Sequence, residues 1–181
     1  MKFKYTFFLL LASCNLGSDQ EAEVRHYQVP EMETIARETG NQHFTWQAPK
    51  HWRFDPNLTP LQDALFYVPA EGDKFIENDY TTAYASVSFL QIPFDLNSNL
   101  KRWQNQLAED VSQVSTHLSN LNLQSGDWRF VKLTTGTKAS LIAVHESGLG
   151  TLFLKLTGPQ KTVLAQAENF VQFVESVRLI K

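Results

Sequence analysis

The chain has 181 residues, 16 Lys and Arg against 19 Asp and Glu, and a formal charge of −3. So mild an acidity argues against nucleic acid as a partner and against electrostatic attachment to anionic lipid, both of which need basic surfaces. A lone cysteine excludes an internal disulfide, a thiolate metal cluster and a dithiol redox pair.

Met1-Lys2-Phe3-Lys4 sets two positive charges ahead of an apolar run, Tyr5 to Ala12, and the small Ser13 then precedes Cys14. A basic start, a short apolar stretch and a small residue before a cleavage point make a secretory signal over residues 1–13. The apolar run is about 8 residues, whereas a membrane-spanning helix needs about 20. A transmembrane anchor is therefore not expected. Losing this segment removes Lys2 and Lys4 and no acid, which takes the formal charge from −3 to −5.

Leu11-Ala12-Ser13-Cys14 resembles the lipobox of bacterial lipoproteins: a branched aliphatic residue, two small residues and a cysteine. The resemblance implies cleavage before Cys14, diacylglycerol on its thiol and a fatty acyl group such as palmitate on the new amine. An ordinary signal peptide ending near an unrelated cysteine is the alternative. Each buried methylene contributes about 0.8 kcal/mol, so two or three long chains would hold the protein to membrane lipid essentially irreversibly. Asn15, not Asp, follows the cysteine. In a Gram-negative host the resemblance then implies the outer membrane, with the domain facing the periplasm. Residues 14–41 are expected to be the lipidated N-terminus and a flexible tether. Asn15 to Glu23 is polar and acidic, and Met32, Ile35 and Ala36 give only a weak helical stripe.

A folded domain is expected over residues 42–181. Phe44 and Trp46 alternate with polar neighbours, as in a strand that Pro49 stops. Trp52 and Phe54 follow in a loop with Pro56 and Pro60. Ala64 to Val68 is a short apolar strand ended by Pro69, and Glu71-Gly72-Asp73 marks a turn. In Tyr84 to Ile92, Ala85, Val87 and Phe89 face one way and Tyr84, Ser86, Ser88 and Leu90 the other. Apolar residues on both sides imply cover on both faces. Asn97 or Ser98 is the expected cap of a long helix to Asn120, with Leu100, Trp103, Leu107, Val111, Val114 and Leu118 as its stripe. Three strands then follow: Trp128 to Leu133, Ala139 to His145 and Thr151 to Leu156. Their connections are too short for a crossover helix, so an antiparallel meander is expected. After Gly158-Pro159, Val163, Ala167, Phe170, Val171, Val174 and Val177 line a last helix. The predicted fold class is α+β: a three-layer α/β/α sandwich, a mostly antiparallel sheet flanked by helices.

This order resembles the fold shared by PsbP, an extrinsic subunit of photosystem II, and the bacterial periplasmic lipoprotein DcrB. The likeness spans residues 42–181. It is carried by the opening Phe44 to Trp52, by the helix over residues 98–120, and by the closing strand, Gly158-Pro159 turn and helix from Leu152 to Val177. Ala85 to Leu107 also resembles a segment of an uncharacterised exported bacterial family. What these resemblances imply is a binding or assembly subunit, and no catalytic residue is carried over from them; fold alone does not set function.

A search for chemistry finds little. His26, His43, His51, His117 and His145 are not paired at helical ligand spacing, and H-E-x-x-H, G-x-S-x-G and a phosphate loop are all missing. No catalytic residue, metal ligand or cofactor is assigned. Trp46, Trp103 and Trp128 fall on apolar faces and are expected in the core. Trp52, with His51 and Phe54, is either the lining of a ligand groove or a plug at the sheet edge. The expected function is a membrane-tethered, non-enzymatic binding or assembly module of the bacterial envelope, monomeric, with membrane lipid held through acylated Cys14 and an envelope protein as candidate partner. Two alternatives stay open. One is a small-ligand or metal carrier. The other is a hydrolase whose site draws His43, His51 or His145 together with a carboxylate and a nucleophile.

Overall fold

The structure is a computed structural model that describes residues 37–70 and 83–180, all within the unit Glu31–Lys181. The signal segment, Cys14, most of the expected tether and the Glu71-Gly72-Asp73 turn lie outside the described residues. Residues 37–41 do not. Residues 37–39 are helical, Trp46 donates its backbone N–H to Thr39 and its indole N–H to the Glu38 carbonyl, and Gly40 bridges Thr45.

Alternating apolar runs build a seven-stranded antiparallel sheet in the order β2-β3-β4-β8-β7-β6-β5. The strands are β2 (Arg53–Phe54), β3 (Ala64–Val68), β4 (Ala83–Leu90), β5 (Ser115–Leu123), β6 (Gly126–Thr134), β7 (Lys138–Ser147) and β8 (Gly150–Pro159). A separate antiparallel pair joins β1 (Phe44–Thr45) to β9 (Arg178–Leu179), Phe44 opposite Leu179, so the ends of the domain are tied together. Between β4 and β5 lies α1 (Leu96–Leu107); after β8 come α2 (Gln160–Ala165) and α3 (Ala167–Ser176).

Successive strand residues point to opposite faces, and in the central β7 both sets are buried. Ala139, Leu141 and Ala143 join Leu152, Leu154 and Leu156 of β8 under α2 and α3, where Val163, Phe170, Phe173 and Val174 cover them. Ile142 and Val144 join Val131 and Leu133 on the other face, under Trp103 and Leu107 of α1. Helices thus cover the sheet on each face, which is the three-layer α+β sandwich expected from the sequence. Two turns need glycine. At Gly150, φ is +148° and a Cβ would stand 2.6 Å from the Leu90 carbonyl; at Gly126, φ is +116° and a Cβ would meet the His145 ring.

Two expectations are corrected. The helix expected to reach Asn120 stops at Leu107, and Ser115–Leu123 is a strand paired with β6 along its whole length. The meander therefore has four strands. The stripe of leucines and valines was compatible with a helix, but Ala108 is extended and Asp110 caps a short 3-10 turn by accepting from Ser112 N–H. Beyond it, Ser, Thr and Asn are weak helix formers, and their polar side chains compete for the backbone. Leu121 and Leu123 alternate with Asn120 and Asn122, which is the strand period that in fact operates. Leu118 falls on the opposite side and is 47% exposed. The cap is also displaced: Asp95, not Asn97 or Ser98, accepts the Asn97 and Ser98 N–H groups at the start of α1. The last helix is in fact two, α2 and α3, joined at Gln166.

Candidate functional site

The aromatic cluster singled out in the sequence is an interior feature. Trp52 is 6% exposed, with its ring 5.4 Å from Phe173 and 6.3 Å from Phe66. Phe54 lies part-buried against the same Phe66, 5.8 Å between centroids. The residue that organises this corner, Gln166, carried no signal in the sequence. It sits buried at the joint between α2 and α3. Its Oε1 accepts from Trp52 Nε1 at 3.3 Å and Asn169 Nδ2 at 2.8 Å, lies 3.0 Å from His51 Nε2, and its own amide donates to the Pro69 carbonyl. A buried amide must find such partners or lose about 1–3 kcal/mol. Gln166 thereby pins the Pro-rich loop to the helix joint.

The histidines do not converge. His51 meets Gln166, His145 stacks 5.1 Å from Trp128 and contacts the Asp127 carbonyl, and His43 lies 4.9 Å from Phe89. Among the described residues no three His, Cys, Asp or Glu side chains are grouped to hold a metal ion, and no helix is long and apolar enough to cross a membrane.

A buried carboxylate stands at the β2–β3 corner. Burial pushes the Asp55 pKa up, but this is outweighed by hydrogen bonds from Asn57 and Tyr67 and by the Arg53 charge, so the net shift is downward. Tyr67 is raised in turn, chiefly by that bond. Arg53 lies over the Tyr67 ring at 5.2 Å. These groups satisfy one another.

Among the described residues, three clefts are notable. One of about 590 Å³ lies at the N-terminal end of the fold and mixes Arg37, His43 and Asp63. A second, about 460 Å³, runs between β6 and α3 and carries Lys132 and Glu168 over an apolar floor that includes Leu141 and Val171. The third, about 240 Å³, lies between α1 and the adjoining β4 and β8.

The third cleft follows directly from strand register. Ser86 of β4 lies opposite Lys155 of β8, and Lys155 opposite Ile142 of β7; the next row is Ser88, Phe153 and Val144. These alternate positions share the face under α1. Arg102, Trp103 and Gln106 project from one side of α1 because three- and four-residue spacings bring helix side chains together. Lys155 Nζ donates to Gln106 Oε1 at 2.9 Å, and Arg102 Nη2 donates to Asn99 Oδ1 at 2.5 Å. Trp103 is buried with its ring 6.3 Å from Phe153. Burial, then the nearby Arg102 charge, holds the Lys155 amine below the usual lysine range. Among the described residues the lining has two cations and no carboxylate, and its polar donors stand beside an apolar floor. The sequence placed Ser86, Ser88 and Trp103 on their faces correctly. It could not bring Lys155 to Arg102, because that proximity depends on how α1 packs against a sheet whose β8 strand is remote from it in the chain.

What fold and site define together is a three-layer α+β domain with a small cationic cleft beneath its α1 layer. No family model matches the chain, and no curated protein matches it. Among solved structures it is similar to the cyanobacterial PsbP (CyanoP) of Synechocystis sp. PCC 6803, with a TM-score of 0.48 and 15% identity over 76% of this chain and 86% of that one. It is also similar to LpqN, which is involved in cell envelope biogenesis of Mycobacterium tuberculosis, with a TM-score of 0.48 and 14% identity over 78% of this chain and 87% of that one. At these identities the likeness is one of fold, and no residue role passes from either protein to this chain.

Proposed function

We propose that the protein is a lipid-anchored, non-enzymatic binding module of the bacterial envelope, whose domain takes a small ligand in the cleft beneath α1. The observation that carries the binding half is the cleft itself: a partly desolvated ammonium and a guanidinium share its lining with Trp103 and Phe153, and no carboxylate lines it among the described residues. Such a site holds a ligand by charge and contact. His43, His51 and His145, which a hydrolase would need to share, each have other neighbours. Of the two carrier alternatives, the cleft favours small-ligand carriage.

The anchor half is supported by the single cysteine falling at the end of Leu11-Ala12-Ser13-Cys14. Mass spectrometry of the intact protein from its native membranes is expected to show Cys14 as the acylated first residue, and Cys14→Ser is expected to move the domain from the membrane to the soluble fraction. Retention of Met1, or a bare thiol at Cys14, overturns the anchor.

A further inference from the structure

We infer that the cleft between α1 and the β4–β8 strands binds an anionic head, phosphate or carboxylate, attached to a short apolar group; this rests on the binding-module reading above. The three clefts differ in one decisive respect. The two larger ones each include an acid as well as a cation in their lining, Asp63 with Arg37 and Glu168 with Lys132. The third collects Arg102 and Lys155 with no acid among the described residues of its lining. Lys155 is held there at an electrostatic disadvantage, since burial and the neighbouring Arg102 charge both disfavour its charged form. The recorded bonds of both cations go to neutral amide oxygens, Lys155 to Gln106 and Arg102 to Asn99. An entering anion would offset both charges at once, and charge-assisted bonds of this type are about twice as strong as neutral ones.

The rest of the lining sets the ligand's shape. Ser86, Ser88 and Gln106 add neutral polar groups beside the cations, while Trp103, Ile142 and Phe153 form an apolar floor. A bare inorganic ion would leave that floor wet, and a neutral apolar molecule would leave the charges unanswered. The volume, about 240 Å³, equals the share of roughly eight waters at about 30 Å³ each. That admits a headgroup with a ring or a short alkyl chain. Arg102 is exposed on α1 and Lys155 is part-buried on β8, so the head would meet Arg102 at the mouth and Lys155 deeper in.

The test is calorimetric titration of the full chain, purified from membranes in a non-ionic detergent, with hexyl phosphate, hexanoate, inorganic phosphate and hexanol. Hexyl phosphate or hexanoate is expected to bind at least tenfold more tightly than either inorganic phosphate or hexanol. Lys155→Gln and Arg102→Gln are each expected to weaken that binding about tenfold with an unchanged melting temperature. A second readout does not depend on the variants: acetic anhydride at mildly alkaline pH is expected to acetylate Lys155, and hexyl phosphate to protect it while other lysines react as before. Inorganic phosphate binding as well as hexyl phosphate would overturn the apolar half of the inference, and hexanol binding as well would overturn the anionic half. No binding, with Lys155 unprotected, overturns it entirely and leaves the anchor reading standing if Cys14 is found acylated. Binding by a chain whose Cys14 is bare does the reverse.

Discussion

The two faces of the sheet carry cores of very different size. Under α2 and α3 the described residues include twenty-one buried members of one cluster, with Trp46, Trp52, Phe66, Trp128, Phe170 and Phe173 among them. Under α1 there are six, of which Trp103 is the one aromatic. A single twelve-residue helix covers the second face, and at its border the strands carry Ser86, Ser88 and Lys155 instead of leucine and valine. Because hydrophobic stabilisation scales with apolar area removed from water, the first face holds the fold and the second is free to hold a site. The division is one of substitution tolerance as well: a close-packed aromatic cluster cannot change shape cheaply, whereas the thin layer under α1 can admit a guest.

That contrast can be broken or sharpened in four ways, the largest expected effect first. Phe173→Ala empties the centre of the aromatic cluster beside Trp52 and Phe66, and should lower unfolding free energy by about 4 kcal/mol in urea titration. Trp103→Ala strikes the other face. The loss should be about 3 kcal/mol, at the low end for such a truncation, because a one-helix layer can relax into the space. A larger loss at Trp103 than at Phe173 would reverse the assignment of the two faces. Asp55→Ala should cost about 2 kcal/mol through its charged hydrogen bonds. Since the Asp55 pKa is lowered on folding, its contribution is present above the unfolded value near 3.8 and disappears as pH falls through the lower folded value. The difference between wild type and variant should therefore close in strong acid.

The smallest effect is expected at the cleft. Lys155→Met removes an ammonium that burial and Arg102 disfavour, so stability should rise, by about 0.5 kcal/mol or less, within the range of ordinary surface changes. The sign follows from linkage. The unfolded lysine binds its proton more tightly than the folded one, so the penalty is full below the folded pKa and fades as pH climbs from there toward 10.5. The advantage of Lys155→Met should accordingly be largest near neutrality and vanish as pH approaches 10.5. A clear loss of stability in this variant would mean that Lys155 is a structural strut and not a ligand group.

Much of this arrangement was legible from residue order. The alternation in Tyr84 to Leu90 placed Ala85 and Val87 on one face and Ser86 and Ser88 on the other, as the structure has them. Trp46, Trp103 and Trp128 were assignable to the core from their periodicity, and all three are buried. The error over Ser115–Leu123 has a definite cause: leucines and valines spaced by three or four also fit a strand when pairing to β6 overrides the local pattern, and nine register pairs do so here. Gln166 and Lys155 escaped notice because nothing in their neighbours distinguishes them; each acquires its role from a partner remote in sequence, Trp52 in one case and Arg102 in the other.

The sequence alone determined the local quantities, namely the strand and helix faces set by side-chain periodicity, the turns set by Gly126 and Gly150, and the absence of a second cysteine. Only the tertiary structure decided that Trp52 is enclosed by Phe66 and Phe173, that Gln166 ties the loop to the helices, and that two cations share one cleft. The reason is physical. Periodicity reports which way a side chain points within its own element, while burial, desolvation and charge proximity depend on which elements cross, and that is fixed by pairings such as β4 with β8 that no local pattern encodes.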